Sequence, residues 1–347
     1  VPMLVQRQPG FFDTRPIALV LTALVAAGGV VFAAYSWLRG GRDRVYRTMY
    51  HLTRDTSEQA KPIVGGPDVV VEYTPPEDLR PAEMMLLLDE KVDGRAVTAT
   101  IVDMAVRGYL RIEEAGDDEW RLYRLKDPDG LVTYERSIFK GIFGSREEVV
   151  LSDLRTDYGA ALQRAYTELY DDALERGWFA AHPEKVRGRW SAIGIAIAIA
   201  GGAATIFGGD RWGLGLPGLA IIAAGGIVWL IARAMPRRTA RGSELMRRVL
   251  GFRTYIDTAE ADRAEFYEKA QIFAEYLPFA IVFGCVDRWT KVFDAIDTTP
   301  YTRQWYTGAN AAGPPGASQR RLLFRRQRHG DLRRAGHGRE GLGGAGL

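Results

Sequence analysis

Two stretches have the spacing of a chemical motif. Gly213-Leu214-Gly215-Leu216-Pro217-Gly218 and Gly341–Gly346 both match G-x-G-x-x-G. In a dinucleotide site those glycines follow a strand and open a helix whose free N–H groups hold a pyrophosphate. Neither match has that setting. The first lies in a turn between two apolar runs, and the second in an arginine- and glycine-rich tail. The four histidines, His51, His182, His329 and His337, are scattered and offer no metal-ligand spacing. Cys285 is alone, so no internal disulfide forms, and a lone thiol fits a reducing compartment. Walker A, H-E-x-x-H and G-x-S-x-G sequences are absent. Glu83 and Asp89 flank an apolar helix, where carboxylates are ordinarily solvated. No catalytic, cofactor-binding or metal-ligating residue is nominated. The expectation is a protein that is not an enzyme and takes no cofactor.

What the sequence does specify is location. Pro16–Leu38, Trp190–Gly209 and Trp212–Ala232 carry no charged residue. About twenty apolar residues in a helix cross a hydrocarbon core of roughly 30 Å. Arg39, Arg42, Arg44 and Arg47 follow the first span; Lys185, Arg187 and Arg189 precede the second; Arg233, Arg237, Arg238 and Arg241 follow the third. Only Asp210-Arg211 separates the second from the third. By the positive-inside rule the amino terminus lies outside, and residues 39–189 and 233–347 lie in the cytoplasm of a multi-pass cell-membrane protein. The first span is longer than a signal-peptide core and ends in Tyr35, Trp37 and an arginine cluster, which favours a retained anchor. No span holds Asp, Glu, Lys, Arg or His, which argues against a transporter or pump. Small residues (Ala26 to Gly29, Gly201, Gly202, Ala223 to Gly226) allow the helices to pack together or to form a homo-oligomer. They also reflect a chain rich in Gly and Ala throughout.

The soluble stretches read as helices with short hairpins. Val69–Tyr73 is extended, and Pro81 suits the first turn of a helix over Ala82–Asp89. Val97, Ile101, Met104 and Ala105 share one face of a second helix that Gly108 ends. Strands at Tyr109–Ile112 and Trp120–Leu125 flank an acidic loop. That order is the order of a winged helix-turn-helix. A second copy is expected over Thr133–Phe179: a helix capped by Thr133, a strand at Val149–Leu151, and an amphipathic helix from Tyr158 to Ala173. Arg107-Gly108-Tyr109-Leu110 and Arg176-Gly177-Trp178-Phe179 mirror each other. Pro81–Leu125 has ten acids against six bases, and Thr133–Phe179 nine against six. Phosphate binding needs the opposite balance, so a protein partner is favoured over nucleic acid. The arginine clusters can each gain about 1 kcal/mol from anionic lipid. Residues 233–297 read as helices. Ala261–Tyr276 is amphipathic, and Pro278 opens Phe279–Phe293, which lies either at the bilayer interface or in a core.

The expected fold class is therefore a multi-pass α-helical membrane protein: three transmembrane helices with an α+β cytoplasmic region containing two winged-helix-like modules. Its divisions are an outer stub (1–15), span one (16–38), a linker (39–68), the tandem modules (69–187), span two (190–209), an outward turn (210–213), span three (214–232), a helical region (233–297) and a disordered tail (298–347).

Four motifs carry a resemblance: Val71-Glu72-Tyr73-Thr74-Pro75-Pro76, Thr98-Ala99-Thr100 through Leu110, Gly251-Phe252-Arg253 with Thr258 to Arg263, and Tyr276-Leu277-Pro278 through Asp287-Arg288-Trp289. With the order of spans they resemble the YciQ-like family of predicted membrane proteins, whose function is unknown. The resemblance implies a larger extracellular amino-terminal domain and a Gly/Ser-rich carboxyl tail. This sequence shows neither, so a truncated reading frame and a frame change after Tyr306 are expected. The family supplies no active site, so no residue role transfers. Two functions remain open: a membrane-anchored protein whose acidic modules bind a cytoplasmic partner, and a membrane-tethered DNA-binding regulator.

Overall fold

The computed structural model describes residues 11, 12, 14, 16–47, 57–62, 69–115, 119–155, 158–213, 215–258, 266–292 and 298–307. Helix α1 (Pro16–Ser36) runs into a π-helical turn, Trp37–Gly41, and strands β1 (Arg44–Tyr46) and β2 (Glu58–Ala60) follow. Helices α2 (Pro81–Asp89) and α3 (Gly94–Val106) precede strands β3 (Leu110–Glu114) and β4 (Trp120–Arg124). Helix α4 (Thr133–Phe143), strand β5 (Glu148–Val150) and helix α5 (Tyr158–Glu175) come next. A long pair, α6 (Pro183–Trp212) and α7 (Gly215–Ile231), leads to α8 (Ala240–Thr258), α9 (Phe266–Phe283), α10 (Val286–Val292), α11 (Thr299–Thr302) and strand β6 (Tyr306–Thr307). These elements form two units, residues 1–68 with 171–245 and residues 69–170 with 246–347.

The first unit holds three helices long and apolar enough to cross a membrane: Pro16–Gly41, Pro183–Gly209 and Gly215–Ala234. They pack through glycine. A Cβ on Gly194 or Gly201 of α6 would lie 2.6 Å from the backbone nitrogen of Trp229 or Ile222 on α7. A Cβ on Gly225 would lie 2.6 Å from Ala198 N. Backbones this close exclude any side chain at the crossing. A Cβ on Gly29 of α1 would collide with the Cβ of Ala224, whereas Gly28, Gly202 and Gly226 have nothing within 4 Å. The small residues thus divide between intramolecular packing and open faces. Ile17, Val20, Leu24, Ile199 and Phe207 are exposed, as a lipid-facing surface requires. The expected linker contains an antiparallel ribbon, β1 on β2. Gly213 closes the helical hairpin with φ 70°, so the G-x-G-x-x-G match is a turn between membrane helices.

The second unit is built around α3. Nine of its positions are buried, from Ala96 and Val97 through Ala99–Ala105. It packs against α2 and α9. One sheet, in the order β5-β4-β3-β6, completes the unit. Strands β3 and β4 pair antiparallel from Leu110 opposite Arg124 to Glu114 opposite Trp120. Their inward residues Leu110, Ile112 and Leu122 are buried.

Several expectations need correction. The expected second winged-helix-like module has no sheet of its own among the described residues, because β5 joins β4 in the single four-stranded sheet. The repeated Arg-Gly-aromatic motif is a helix terminator. Tyr109 N bonds Met104 O while Gly108 N bonds Ala105 O, and Trp178 N bonds Ala173 O while Gly177 N bonds Leu174 O. Cys285 and Gly284 repeat the pattern on Ala280 and Ile281. All three glycines have positive φ, the Schellman geometry. A recurring cap does not require a recurring domain. Thr133 is the first residue of α4 and not its cap; instead Glu135 accepts a hydrogen bond from Val132 N. Pro278 lies inside α9 and does not open a helix. The bond it forfeits is offset by burial of every residue from Leu277 to Phe283. Trp289 is fully buried as well, so the core setting is the one observed. Residues 298–307, expected in the disordered tail, form α11 and β6, and β6 pairs parallel with β3. Residues 308–347 lie outside the described residues, as do His51, His329 and His337.

Candidate functional site

The densest polar chemistry sits under α3, where three helices bring charges together. Asp103 and Arg107 stand one turn apart on α3 and its cap, with Asp103 Oδ2 2.8 Å from Arg107 Nη2. Glu135, in the first turn of α4, receives the same guanidinium nitrogen at 2.5 Å and is wholly buried. Arg80, just before α2, places Nε 3.9 Å from Glu135 Oε1. Glu83, on the first turn of α2, accepts Arg80 N at 2.7 Å. It is 2% exposed, which corrects the expectation of a solvated carboxylate. Asp89 behaves as expected, half-exposed and 3.3 Å from Arg95.

Asp103 and Glu135 thus share the Arg107 guanidinium, with that of Arg80 at the edge of ion-pair range of Glu135. Burial pushes the Asp103 carboxyl up to about 6; Arg107 opposes the shift and Glu135 adds to it. Tyr134, next to Glu135, keeps its hydroxyl buried with no hydrogen-bond partner among the described residues. Burial and the carboxylates Glu83, Glu135 and Asp103 raise it well above the ordinary phenol range. A raised carboxyl beside a phenol has the composition of an acid–base site. The packing gives it another use. Glu135 and Tyr134 are closed off, and only the arginines reach the surface. The cluster locks α2, α3 and α4 together.

Asp172, Arg176, Gly177 and Trp178 repeat Asp103, Arg107, Gly108 and Tyr109. Asp172 and Arg176 pair at 2.9 Å, and both arginines lie over the following aromatic ring, at 5.4 Å for Tyr109 and 5.3 Å for Trp178. Asp172 and Arg176 are more than a third exposed, so the same acid–arginine–glycine–aromatic order places its ion pair at the surface there, over a buried Trp178. The aspartate four residues before each Arg-Gly was a legible signal. The deep burial of one copy was not.

The resemblance motifs converge in the second unit. Glu72 holds Arg248 at 2.7 Å, and Tyr276 OH donates to Tyr73 O at 3.1 Å. Val70 runs so close to Gly251 that a Cβ there would collide with its carbonyl. Tyr73, Phe252, Tyr255, Tyr276 and Trp289 form an aromatic cluster. Cys285 is buried and its thiol donates to Ala280 O at 3.7 Å. Burial, with Asp257 next, pushes that thiol up to about 11, away from thiolate reactivity. Among the described residues no group of His, Cys, Asp and Glu is arranged to hold a metal ion.

Mostly helical, with three apolar helices of spanning length and small sheets, the chain has the form of a helical membrane protein. Residues 70–293 match the family described as predicted membrane protein (DUF2207) C-terminal domain, and the chain belongs to that family, whose function is unknown. No curated protein and no solved structure matches the chain.

Proposed function

We propose that the chain is a non-enzymatic membrane anchor that holds an acidic partner-binding unit at the cytoplasmic face. One observation carries the arrangement. Helix α3, before the helical hairpin, packs against α9, after it. A unit assembled from both pieces needs them on one side of the membrane, which supports a reading in which α6 and α7 cross as a pair. The arginines after α1, in the first turns of α6 and after α7 support the cytoplasm as that side.

The choice of partner follows from charge and burial. The order α2, α3, β3, β4 supports a winged-helix-like description and, with it, the DNA-binding alternative. In such a module the second helix enters the major groove. Here that helix is the core, and only Gly94 along it is exposed rather than buried or half-buried. The hairpin carries Glu113, Glu114 and Glu119, which repel phosphates. A cationic protein surface is the better match. Photo-crosslinking from a residue placed at Glu119 of the full chain in native membranes should trap a protein. Salt-sensitive DNA binding by the purified full chain, with no protein adduct, would replace this reading by the alternative.

A further inference from the structure

The first unit gathers arginine at one end of its helices in a repeated arrangement. Near the end of α1, Arg39 lies 5.7 Å from the ring of Tyr35 and also donates to its hydroxyl. Just past the end of α7, Arg233 lies 5.6 Å from the ring of Trp229. Each pair spans four residues, one helical turn. Amphipathic rings settle at the headgroup level of a bilayer, so each ring would set its arginine in the phosphate layer.

The two ends meet. Gly41 is so close to Ala234 that a Cβ would lie 2.7 Å from its carbonyl oxygen. Arg44 N bonds Arg238 O at 3.0 Å, so residues 41–44 run beside 234–238. Asp43 is occupied by Arg238, which reaches it through its backbone N–H at 2.7 Å and its guanidinium at 3.2 Å. Arg39, Arg44, Arg233 and Arg237 have no carboxylate in ion-pair range among the described residues. Arg39 and Arg233 are exposed. Guanidinium forks match phosphate oxygens in pairs.

We infer that Arg39 and Arg233, backed by Arg44 and Arg237, form a binding site for the phosphate headgroup of an anionic phospholipid. The inference rests on the spanning reading of α1, α6 and α7. Both lead arginines are exposed, so replacing them does not open the packed core.

The test titrates the full chain in detergent with phosphatidylglycerol or phosphatidylcholine and counts bound lipid by native mass spectrometry. Phosphatidylglycerol should be retained preferentially. At about fivefold per arginine, the pair Arg39→Gln and Arg233→Gln should weaken it about 25-fold. Removing the same charge from exposed Lys91 and Lys140 (Lys91→Gln, Lys140→Gln) should leave it unchanged. Equal retention of the two lipids, or equal loss in both double variants, would overturn the site. Displacement of the lipid by millimolar inorganic phosphate would also overturn it, in favour of a free-anion site. Release of the chain from membranes by alkaline carbonate would sink the spanning reading itself.

Discussion

Arg107 joins two buried carboxylates, and its removal tests how far the cluster under α3 depends on balance. Breaking one partner of a buried ion group costs about 3–5 kcal/mol, because the remaining charge stays desolvated. Arg107→Met should destabilise the chain by about that amount in denaturant unfolding, and adding Glu135→Gln should recover part of it. Asp103 gives a prediction in pH. Its folded carboxyl titrates near 6, above the ordinary 3.8, so the folded state binds more protons than the unfolded state between those values. Stability therefore falls as pH rises from about 4 to about 6 and is level above. Asp103→Asn removes that dependence. The variant should gain on the wild type by up to about 3 kcal/mol across that window, against whatever it loses in pairing to Arg107. A constant difference from pH 4.5 to 7.5 would refute the shift. None of this was legible from Asp103 or Glu83 as residue types. A carboxylate on an apolar helix is normally solvated, and their burial depends on α2, α3 and α4 meeting.

Some helix ends were open to sequence reasoning, because the chemistry of a terminus is local, though the starts read at Thr133 and Pro278 were not. Pro81 sits in the first turn of α2, and Gly108 ends α3 with φ 76°, as their residue types demand. Gly108→Val should cost about 1–2 kcal/mol or more, since a β-branched residue is strained in the left-handed region. Unchanged melting would remove the strain argument. The depth of α3 was not legible. Its periodic face is Val97, Ile101, Met104 and Ala105, but Ala96, Ala99, Thr100 and Val102 are buried too. Small residues look indifferent until a second layer arrives, and that layer, α9, comes more than 150 residues later. Strand β6 was hidden for a related reason. Two residues pairing with β3, beside a basic tail, carry no period of their own. In the membrane helices the glycines were visible but their use was not. Gly225→Leu should strongly destabilise the α6–α7 pair in detergent melting, by about 1–3 kcal/mol or more, because its space is filled by the backbone of α6. Gly226→Leu, with open space around it, should change little. Equal effects would contradict the packing.

At the scale of the molecule, the apolar α6–α7 hairpin interrupts a second unit that is continuous in space and divided in sequence. A chain ending at residue 240 would keep α2, α3 and the β3–β4 hairpin but lose α9 and β6. Limited proteolysis should then cut residues 69–170 rapidly where the full chain resists. Equal resistance would mean that this part folds alone. Three apolar helices of spanning length were legible, since bilayer thickness acts on composition alone. The joining of two distant segments was not, because no local pattern records it. That joining and the arginine borders together predict sidedness, on which partner and compartment depend. The direct measurement uses single cysteines on a Cys285→Ser background, labelled in intact cells with an impermeant maleimide. Asp210→Cys should react from outside, while Gln59→Cys and Ser145→Cys should react only after permeabilisation. Labelling of Gln59→Cys or Ser145→Cys in intact cells, with Asp210→Cys protected, would contradict the account.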